Sequence, residues 1–212
     1  MKTMIINASP RKNWSTAELL KSAQKGAESA GAQTEYVDLY DLNFTGCRSC
    51  LACKRKGVER CKCFWKDDLS PLIDRILASD ALIIGSPIYM GEPTAHFRAL
   101  FERLGFCVLS YDGDGSYYPG KLNVGIIYTM NAPKDYYESS MRQALVPTEY
   151  ALGVFLKGEV RTYAACDTLQ VKDYSKYNMG MFNEEHKKKV REAQFPVDLE
   201  ETYKMGAELS RK

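Results

Sequence analysis

The chain has 212 residues, of which 45% are hydrophobic and 26% are charged, and its formal net charge is +2. This composition is typical of one globular domain with a sizeable core, so we expect a single domain over residues 1–212. No apolar run reaches the roughly 18 residues that span a bilayer, and no apolar segment precedes a cleavage site for secretion. We therefore expect a cytoplasmic protein with no membrane partner.

The first half of the chain alternates predicted strands with predicted helices. Apolar runs and helical periodicity place these elements at Lys2–Asn7 (strand), Ser15–Ser29 (helix), Thr34–Leu39 (strand), Asp68–Leu77 (helix) and Ala81–Gly85 (strand). An irregular cysteine-rich loop occupies about 44–67. The continuous apolar run at Ala81–Gly85 is typical of a central parallel strand that is buried on both faces.

The second half continues the alternation as far as a closing helix. The predicted elements are Thr94–Leu104 (helix), Leu122–Thr129 (strand), Asp135–Ala144 (helix), Glu159–Ala165 (strand) and a helix from Asn183 that is broken near Pro196. Residues 105–121, which include Tyr111–Gly115, form a turn-rich connection. This pattern predicts an α/β fold with a five-stranded parallel sheet and helices on both faces. The loops 9–16, 86–93 and 129–133 would then converge at the carboxyl ends of the strands.

The loop after the first strand contains the strongest functional signal. Residues 5–16 place hydroxyls, amides and cations between a strand and a helix start, where the helix dipole favours an anion. Glycine-rich dinucleotide and P-loop motifs are absent, so the donors would be Ser9, Arg11, Asn13, Ser15 and Thr16. Such a pocket suits a single terminal phosphate, as in flavin mononucleotide (FMN). A capping box between Ser15 and Glu18 is the alternative, and it is compatible with phosphate binding.

Two further loops are candidates for contact with a flat ring. The first is Pro87–Gly91, in which Ile88, Tyr89 and Met90 would border the ring and Gly91 would let the backbone approach it. A plain strand-to-helix connector is the alternative for this loop. The second is the start of the loop 129–133, with Thr129, Met130 and Asn131.

Five of the seven cysteines lie between residues 47 and 63, a clustering that favours metal or redox chemistry over a disulfide scaffold. Cys47, Cys50 and Cys53 are evenly spaced, and the fourth ligand would be Cys61, with Cys63 as the alternative. Four thiolates suit an iron–sulfur cluster or zinc, and free thiols without metal are the third alternative. The surrounding bases are expected to lower the thiol pKa values; they are Arg48, Lys54, Arg55, Lys56, Arg60 and Lys62.

The remaining cysteines and the histidines have structural explanations. Cys107 and Cys166 are expected in the core, and His96 and His186 are expected to be structural. The basic run at 186–189 is interpreted as a solvated helix face. No nucleic-acid partner is expected, because no aromatic platform accompanies this run.

Three segments resemble the flavodoxin-fold NAD(P)H-dependent FMN reductases, and in particular their iron–sulfur flavoprotein branch. Ala8–Thr16 is similar to the phosphate loop of the family, Gly85–Gly91 to its loop beside the flavin ring, and Gly46–Cys53 to its cysteine insertion. The resemblance covers about residues 1–130. The chain departs from the family pattern at Ala8, at Trp14-Ser15 and in the loop after the fourth strand, which lacks a glycine pair.

The resemblance implies the strand order 2-1-3-4-5, bound FMN and reduction of that FMN by NAD(P)H. Electrons would pass to a small-molecule acceptor such as a quinone, free flavin or an iron centre. It also implies a homodimer or homotetramer and a [4Fe–4S] cluster in the cysteine loop, and no catalytic side chain, since the flavin carries the chemistry. A non-enzymatic electron carrier and a thiol or metal redox sensor are the alternative functions.

Overall fold

The computed structural model describes residues 1–113 and 115–211. Asp114, in the predicted turn-rich connection, lies outside the described residues, as does Lys212. The strands are β1 (Lys2–Asn7), β2 (Gln33–Asp38), β3 (Ala81–Tyr89), β4 (Glu92–Pro93), β5 (Leu122–Thr129) and β6 (Lys157–Ala165). The helices are α1 (Ser15–Ser29), α2 (Leu69–Leu77), α3 (Ala95–Val108), α4 (Lys134–Tyr136), α5 (Arg142–Leu156), α6 (Glu184–Ala193) and α7 (Phe195–Leu209).

Five strands pair in parallel in the order β2-β1-β3-β5-β6. Counted without the short β4, this is the predicted order 2-1-3-4-5, and it confirms the flavodoxin-like, doubly wound α/β class. The predicted count of five strands omitted β4, which pairs antiparallel with the end of β3 through Ile88↔Pro93 and Tyr89↔Glu92. The described sheet therefore has six strands.

Each face of the sheet has its own core, because successive side chains of a strand point to opposite faces. On one face, Ile5 and Ile83 pack with Leu20 of α1 and Leu209 of α7. On the other face, three isoleucines of the strands pack under residues of three helices. The strand residues are Ile6, Ile84 and Ile126, and the helix residues are Ile73 of α2, Leu100 of α3 and Leu152 of α5. The alternating use of neighbouring strand residues explains why the central strands read as continuous apolar runs.

Several predicted boundaries were wrong. The strand predicted at Ala81–Gly85 continues to Tyr89, and the helix predicted to end at Leu104 continues to Val108. The helix predicted at Asp135–Ala144 is replaced by α4, a π-helical turn at Tyr137–Met141 and the longer α5, which contains Pro147. The break near Pro196 is confirmed by the junction of α6 and α7 at Gln194.

Among the described residues, no helix combines the length and the apolar character needed to cross a bilayer.

Candidate functional site

The loops at the carboxyl ends of β1, β3, β5 and β6 surround one cavity, which we call the strand-end cavity. The space between these loops, including its open mouth, measures about 530 Å³. Its lining contains every predicted cofactor-binding residue except Asn13, Met90 and Gly91, and it adds four residues that the sequence analysis missed. The lining residues are Ser9, Arg11, Trp14, Ser15, Thr16, Pro87, Ile88, Tyr89, Thr129, Met130, Asn131, Thr168, Leu169 and Gln170.

One end of the strand-end cavity is the start of α1. The helix begins at Ser15, and its N-cap residue Trp14 makes no side-chain capping bond. The predicted alternative of a capping box between Ser15 and Glu18 was wrong, because the N-cap residue is Trp14 and Glu18 forms an ion pair with Arg191 of α6. The N–H groups of the first helical turn therefore have no side-chain acceptor, and buried Ser15 and Thr16 add hydroxyls beside them. This arrangement favours an anion.

Close packing of α1 against β3 sets the position of that helix start. Gly85 has no side chain, and a Cβ atom there would lie 2.9 Å from Cγ2 of Thr16 and 2.8 Å from Leu20. The Oγ1 atoms of Thr16 and Thr129 are 2.7 Å apart, so a hydrogen bond joins α1 to the end of β5. The loops after β1 and β5 therefore meet, as the strand pattern predicted.

Arg11 and Trp14 attach the loop after β6 to the cavity. The Arg11 Nη1 group donates to the Gln170 carbonyl at 2.6 Å, and Trp14 Nε1 donates to the Leu169 carbonyl at 2.9 Å. The Arg11 guanidinium also lies 4.3 Å from the centre of the Trp14 ring. No local sequence pattern predicts that Thr168–Gln170 lies at this cavity, because long-range hydrogen bonds from the loop after β1 bring the segment there.

Two residues that line this cavity each have a buried side-chain oxygen without a partner among the described residues. The oxygens are Oδ1 of Asn131 and Oε1 of Gln170. A buried polar atom without a hydrogen bond is costly, so these oxygens call for a ligand that donates N–H or O–H groups. Together with the anion-binding helix start, they define a ligand with a phosphate and several donors. FMN fits, because it has one terminal phosphate, a hydroxylated chain and a ring N–H.

The end of β3 forms a side of the cavity and then turns away from it. Tyr89 lines the cavity and is 48% exposed, and partial burial raises its pKa. Met90 and Gly91 have φ angles of 53° and 84° and form the two-residue turn between β3 and β4. Paired positive φ angles are typical of a type I′ hairpin turn, so Gly91 serves this turn.

A buried lysine holds the loop after β5, which includes Asn131. Lys187 is 4% exposed, donates to the Asn131 carbonyl at 2.7 Å and pairs with Asp167, which also bonds Nε2 of His186 at 2.6 Å. The interpretation of residues 186–189 as a solvated face was therefore wrong for Lys187. It holds for Lys188 and Lys189, which pair with glutamates one helical turn earlier.

A second, narrow cavity lies between the cysteine-rich loop and the end of α3, and it measures about 380 Å³ when the space open to solvent is included. We call it the cysteine cavity. Its lining includes Cys47, Cys50, Cys53, Cys63, Cys107 and Arg103. Cys61 instead lines a separate surface cavity, with Arg60 and Tyr118. All seven thiols are free, and within residues 1–113 and 115–211 no three His, Cys, Asp or Glu side chains are grouped to hold a single metal ion.

Burial has the largest effect on the pKa values of two of the clustered thiols. It raises the pKa of Cys53 and of Cys61, and the opposing charge of Lys54 is the smaller effect for both. The expectation that basic neighbours lower these pKa values was wrong. Burial also lowers the pKa of Lys54, whose Nζ donates to the carbonyls of Phe106 and Leu109 at the end of α3.

The other residues discussed from sequence have packing partners. Cys107 is 2% exposed, as expected for the core, although it also borders the cysteine cavity. Burial raises the pKa of Cys166 to about 11. The His96 ring stacks on Tyr40 with centroids 3.8 Å apart and meets Phe44 edge-on, and burial lowers the pKa of His96.

The sheet order is that of a flavodoxin-like α/β protein, and the strand-end cavity lies beyond the carboxyl ends of the neighbouring strands β1 and β3, where the strand order reverses. Residues 1–146 match the family model of the NADPH-dependent FMN reductases, and the chain belongs to that family.

The curated relatives are iron–sulfur flavoproteins. The chain is 32% identical over 103 residues to one from Methanocaldococcus jannaschii, covering 49% of this chain and 51% of the relative. It is 30% identical over 103 residues to one from Methanosarcina thermophila, covering 49% and 52%. A relative from Clostridioides difficile is 35% identical over 102 residues, covering 47% and 44%. The chain thus matches about half the length of these relatives.

Solved structures share the fold over the whole chain. An NAD(P)H:quinone oxidoreductase from Methanothermobacter marburgensis superposes with a TM-score of 0.73 and 18% identity, covering 100% of this chain and 98% of that one. The azoreductase AzrA superposes with a TM-score of 0.66 and 12% identity, covering 98% and 100%. At these identities the likeness shows the fold alone.

Proposed function

We propose that this protein is a flavin-dependent oxidoreductase that binds FMN in the strand-end cavity and passes electrons from NAD(P)H to a small acceptor. A quinone, free flavin or an iron centre would serve as that acceptor. The observation that carries the proposal is the pairing of an uncapped helix start with the unpartnered oxygens of Asn131 and Gln170 in one cavity. FMN, when bound, supplies the electron-transfer chemistry.

The residues divide into two groups by what they offer the cofactor. Ser9 lies in the loop after β1, and Ser15 and Thr16 lie at the start of α1. With the N–H groups of the first helical turn, these hydroxyls bind the phosphate. Asn131 and Gln170 accept hydrogen bonds from the hydroxylated chain or the ring.

Apolar side chains and one arginine complete the cofactor site. Ile88, Tyr89 and Trp14 line the cavity and exclude water from it. Arg11 is bonded to the Gln170 carbonyl and holds the loop after β6 in place. We assign no general acid or base, since orientation and exclusion of water are what the cofactor requires of the protein.

We also propose that the cysteine cavity holds a [4Fe–4S] cluster. Four of the five clustered thiols line one cavity, and the curated relatives are named iron–sulfur flavoproteins. The cluster would supply one-electron transfer. A thiol-based sensor is less favoured, because burial raises the pKa of Cys53 and Cys61 and so reduces the thiolate that reacts at neutral pH.

The homodimer or homotetramer implied by the family resemblance stays a prediction. Tyr89 and the fully exposed Met90 next to it are where a second copy would cover the mouth of the strand-end cavity.

Fluorescence titrations with FMN and riboflavin test the cofactor site. Ser15→Ala removes a hydroxyl at the start of α1, and Ser29→Ala removes the matched hydroxyl at the other end of the same helix. We expect Ser15→Ala to raise the Kd of FMN about tenfold, the typical worth of a hydrogen bond to a charged group, and to leave that of riboflavin unchanged. Ser29→Ala should change neither.

The electron donor is tested on the FMN-loaded protein by mixing it anaerobically with NADH or NADPH and following the loss of visible flavin absorbance. A chain that takes up no FMN, or that loses FMN and riboflavin affinity equally in Ser15→Ala, contradicts the proposed site. A loaded protein that neither nucleotide reduces contradicts the proposed donor.

A further inference from the structure

The segment that follows β6 forms one wall of the strand-end cavity. Residues 167–170, which we call the strap, lie just after the end of β6 and well before the start of α6. Thr168, Leu169 and Gln170 line the cavity. The strap lies outside residues 1–146, which match the family model, so the family match assigns it no role.

On one side, the strap is attached to the backbone of the loop after β5. The Asp167 N–H donates to the Ala132 carbonyl at 2.7 Å, and the Thr168 N–H donates to the Met130 carbonyl at 2.9 Å. The carboxylate of Asp167 pairs with the buried Lys187. Asp167 has a φ angle of 56°, so the chain enters the strap through a left-handed residue. Main-chain hydrogen bonds and a buried ion pair therefore anchor this side.

On the other side, the strap is attached to two side chains of the loop after β1. Nη1 of Arg11 donates to the Gln170 carbonyl at 2.6 Å. Nε1 of Trp14 donates to the Leu169 carbonyl at 2.9 Å. A hydrogen bond of this kind contributes little net free energy, because water replaces it when the two groups separate. This side of the strap is therefore the one that opens more readily.

The two donors that hold the strap lie at the phosphate end of the cavity. Arg11 and Trp14 come just before Ser15, where α1 begins. The indole has a single N–H, and the strap uses it. The Arg11 guanidinium lies 4.3 Å from the centre of the Trp14 ring, so the two side chains keep each other in place. Their position indicates that they act on the strap and that the phosphate is bound by the neighbouring hydroxyls.

We propose that the strap gates the strand-end cavity, and that Arg11 and Trp14 are positioning residues that hold the strap shut. This inference rests on the flavin site of the proposed function. Flavin enters and leaves when the two side-chain bonds break and the strap turns about Asp167. Both bonds join protein atoms to protein atoms, so the loss of one speeds entry and release together and leaves the Kd almost unchanged. A direct contact with the flavin would act mainly on release.

The test measures the rates of uptake and release of FMN and of riboflavin by stopped-flow flavin fluorescence. Arg11→Met removes the charged donor, and Trp14→Phe keeps an aromatic ring and removes only the N–H. We expect both rates to rise about tenfold in Arg11→Met and about threefold in Trp14→Phe, the typical worth of a charged and of a neutral hydrogen bond. The rise should be the same for the two flavins, because the strap does not distinguish them.

A matched variant and a second measurement complete the test. Lys12→Met removes the neighbouring cation, which pairs with Asp41 and does not line the cavity, and it should change the riboflavin rates by less than about twofold. Hydrogen exchange of the amides at 167–170 should be faster in Arg11→Met than in wild type. Exchange in β1 and β3 should match wild type and so report an intact fold.

The alternative results are distinct. Faster release of FMN from Arg11→Met with no change for riboflavin assigns Arg11 to the phosphate and overturns the gate. Unchanged rates in both Arg11→Met and Trp14→Phe also overturn the gate, and each of these results leaves the flavin site in place. Wild type that takes up neither flavin overturns the proposed flavin site and the gate together.

Discussion

The strand-end cavity and the cysteine cavity are built in different ways. The first is assembled by parallel strands whose carboxyl ends meet at one edge of the sheet, so backbone topology brings Ser9, Tyr89 and Asn131 together. The second is closed by an irregular loop, and side-chain bonds from the single residue Arg103 hold it in shape. We therefore expect the shape of the second site to depend more strongly on one side chain than the shape of the first.

The two cavities share α3 as a scaffold. Thr94 caps the start of the helix through a bond to the Phe97 N–H and donates to the Ala8 carbonyl in the phosphate loop at 2.7 Å. Arg103 and Cys107 border the cysteine cavity from the other end of the helix. Substitutions along α3 therefore show how far the two regions are independent.

The largest effect is expected from Arg103→Met. The side chains of Arg103 and Asp67 are 1% and 11% exposed, and removal of the cation leaves the carboxylate buried without its partner. Breaking a buried pair in this way costs about 3–5 kcal/mol, which we expect as the loss in the free energy of unfolding in guanidinium. The partly exposed Arg98 of the same helix is the matched control, and Arg98→Met should cost under about 1 kcal/mol.

Arg103→Met also probes the independence of the two cavities. The variant should bind FMN with wild-type affinity where it remains folded. A parallel loss of FMN affinity would mean that α3 couples the two regions and that the contrast drawn between them is wrong.

A smaller effect is expected from Lys187→Met. The substitution leaves the Asn131 carbonyl and one oxygen of Asp167 without their donor, but Asp167 keeps its bond to His186. We expect a loss of about 1–3 kcal/mol in the free energy of unfolding, together with weaker FMN binding, because Asn131 lines the strand-end cavity. Lys188→Met, at the exposed neighbour, should change neither quantity measurably. Unchanged FMN affinity in Lys187→Met would show that the bond from Lys187 to the Asn131 carbonyl does not support FMN binding.

The smallest effect concerns His96, which lies on α3 between the two cavities. Burial against Tyr40 and Phe44 lowers its pKa in the folded state, so the unfolded chain binds the proton more readily. The stability contributed by the neutral ring is complete above about pH 6.5 and is lost as the pH falls toward the folded-state pKa. His96→Gln should flatten this part of the profile of unfolding free energy against pH. His186→Gln should retain it, and a slope that survives in His96→Gln would assign it to another group.

Most of the strand-end cavity could be predicted, because most of its lining residues follow strands that can be recognised in the sequence from their apolar runs. Apolar runs located β1, β3 and β5, and the parallel strand order brings the loops that follow these strands to the same edge of the sheet. Thr168–Gln170 could not be found in this way, because that segment reaches the cavity through bonds from Arg11 and Trp14 more than 150 positions earlier. The prediction that Lys187 lies on a solvated face was wrong for a similar reason, because only the fold brings its partner Asp167 close to it.

The cysteine cavity was harder to predict, because spacing along a chain does not give the direction of side chains in an irregular loop. Positive φ angles at Ser49, Leu51, Gly57 and Cys61 redirect the backbone four times within thirteen positions. The prediction that neighbouring basic residues lower the thiol pKa values was also wrong, because burial raises the pKa of Cys53 more than the charge of Lys54 lowers it. The end of the helix predicted at Asp135–Ala144 was also wrong, because α5 continues through Pro147 to Leu156.

The packing of α7 against α1 bears on how this chain can be divided. The matched family segment ends at residue 146, inside α5. Phe195, Met205 and Leu209 nevertheless complete the hydrophobic core beneath Leu19 and Leu20. A fragment cut at the family boundary would retain most of the recognisable motifs and expose the apolar underside of its first helix to water. Homology boundaries and folding boundaries do not coincide here, and domain transplantation or truncation should carry the carboxyl-terminal third along.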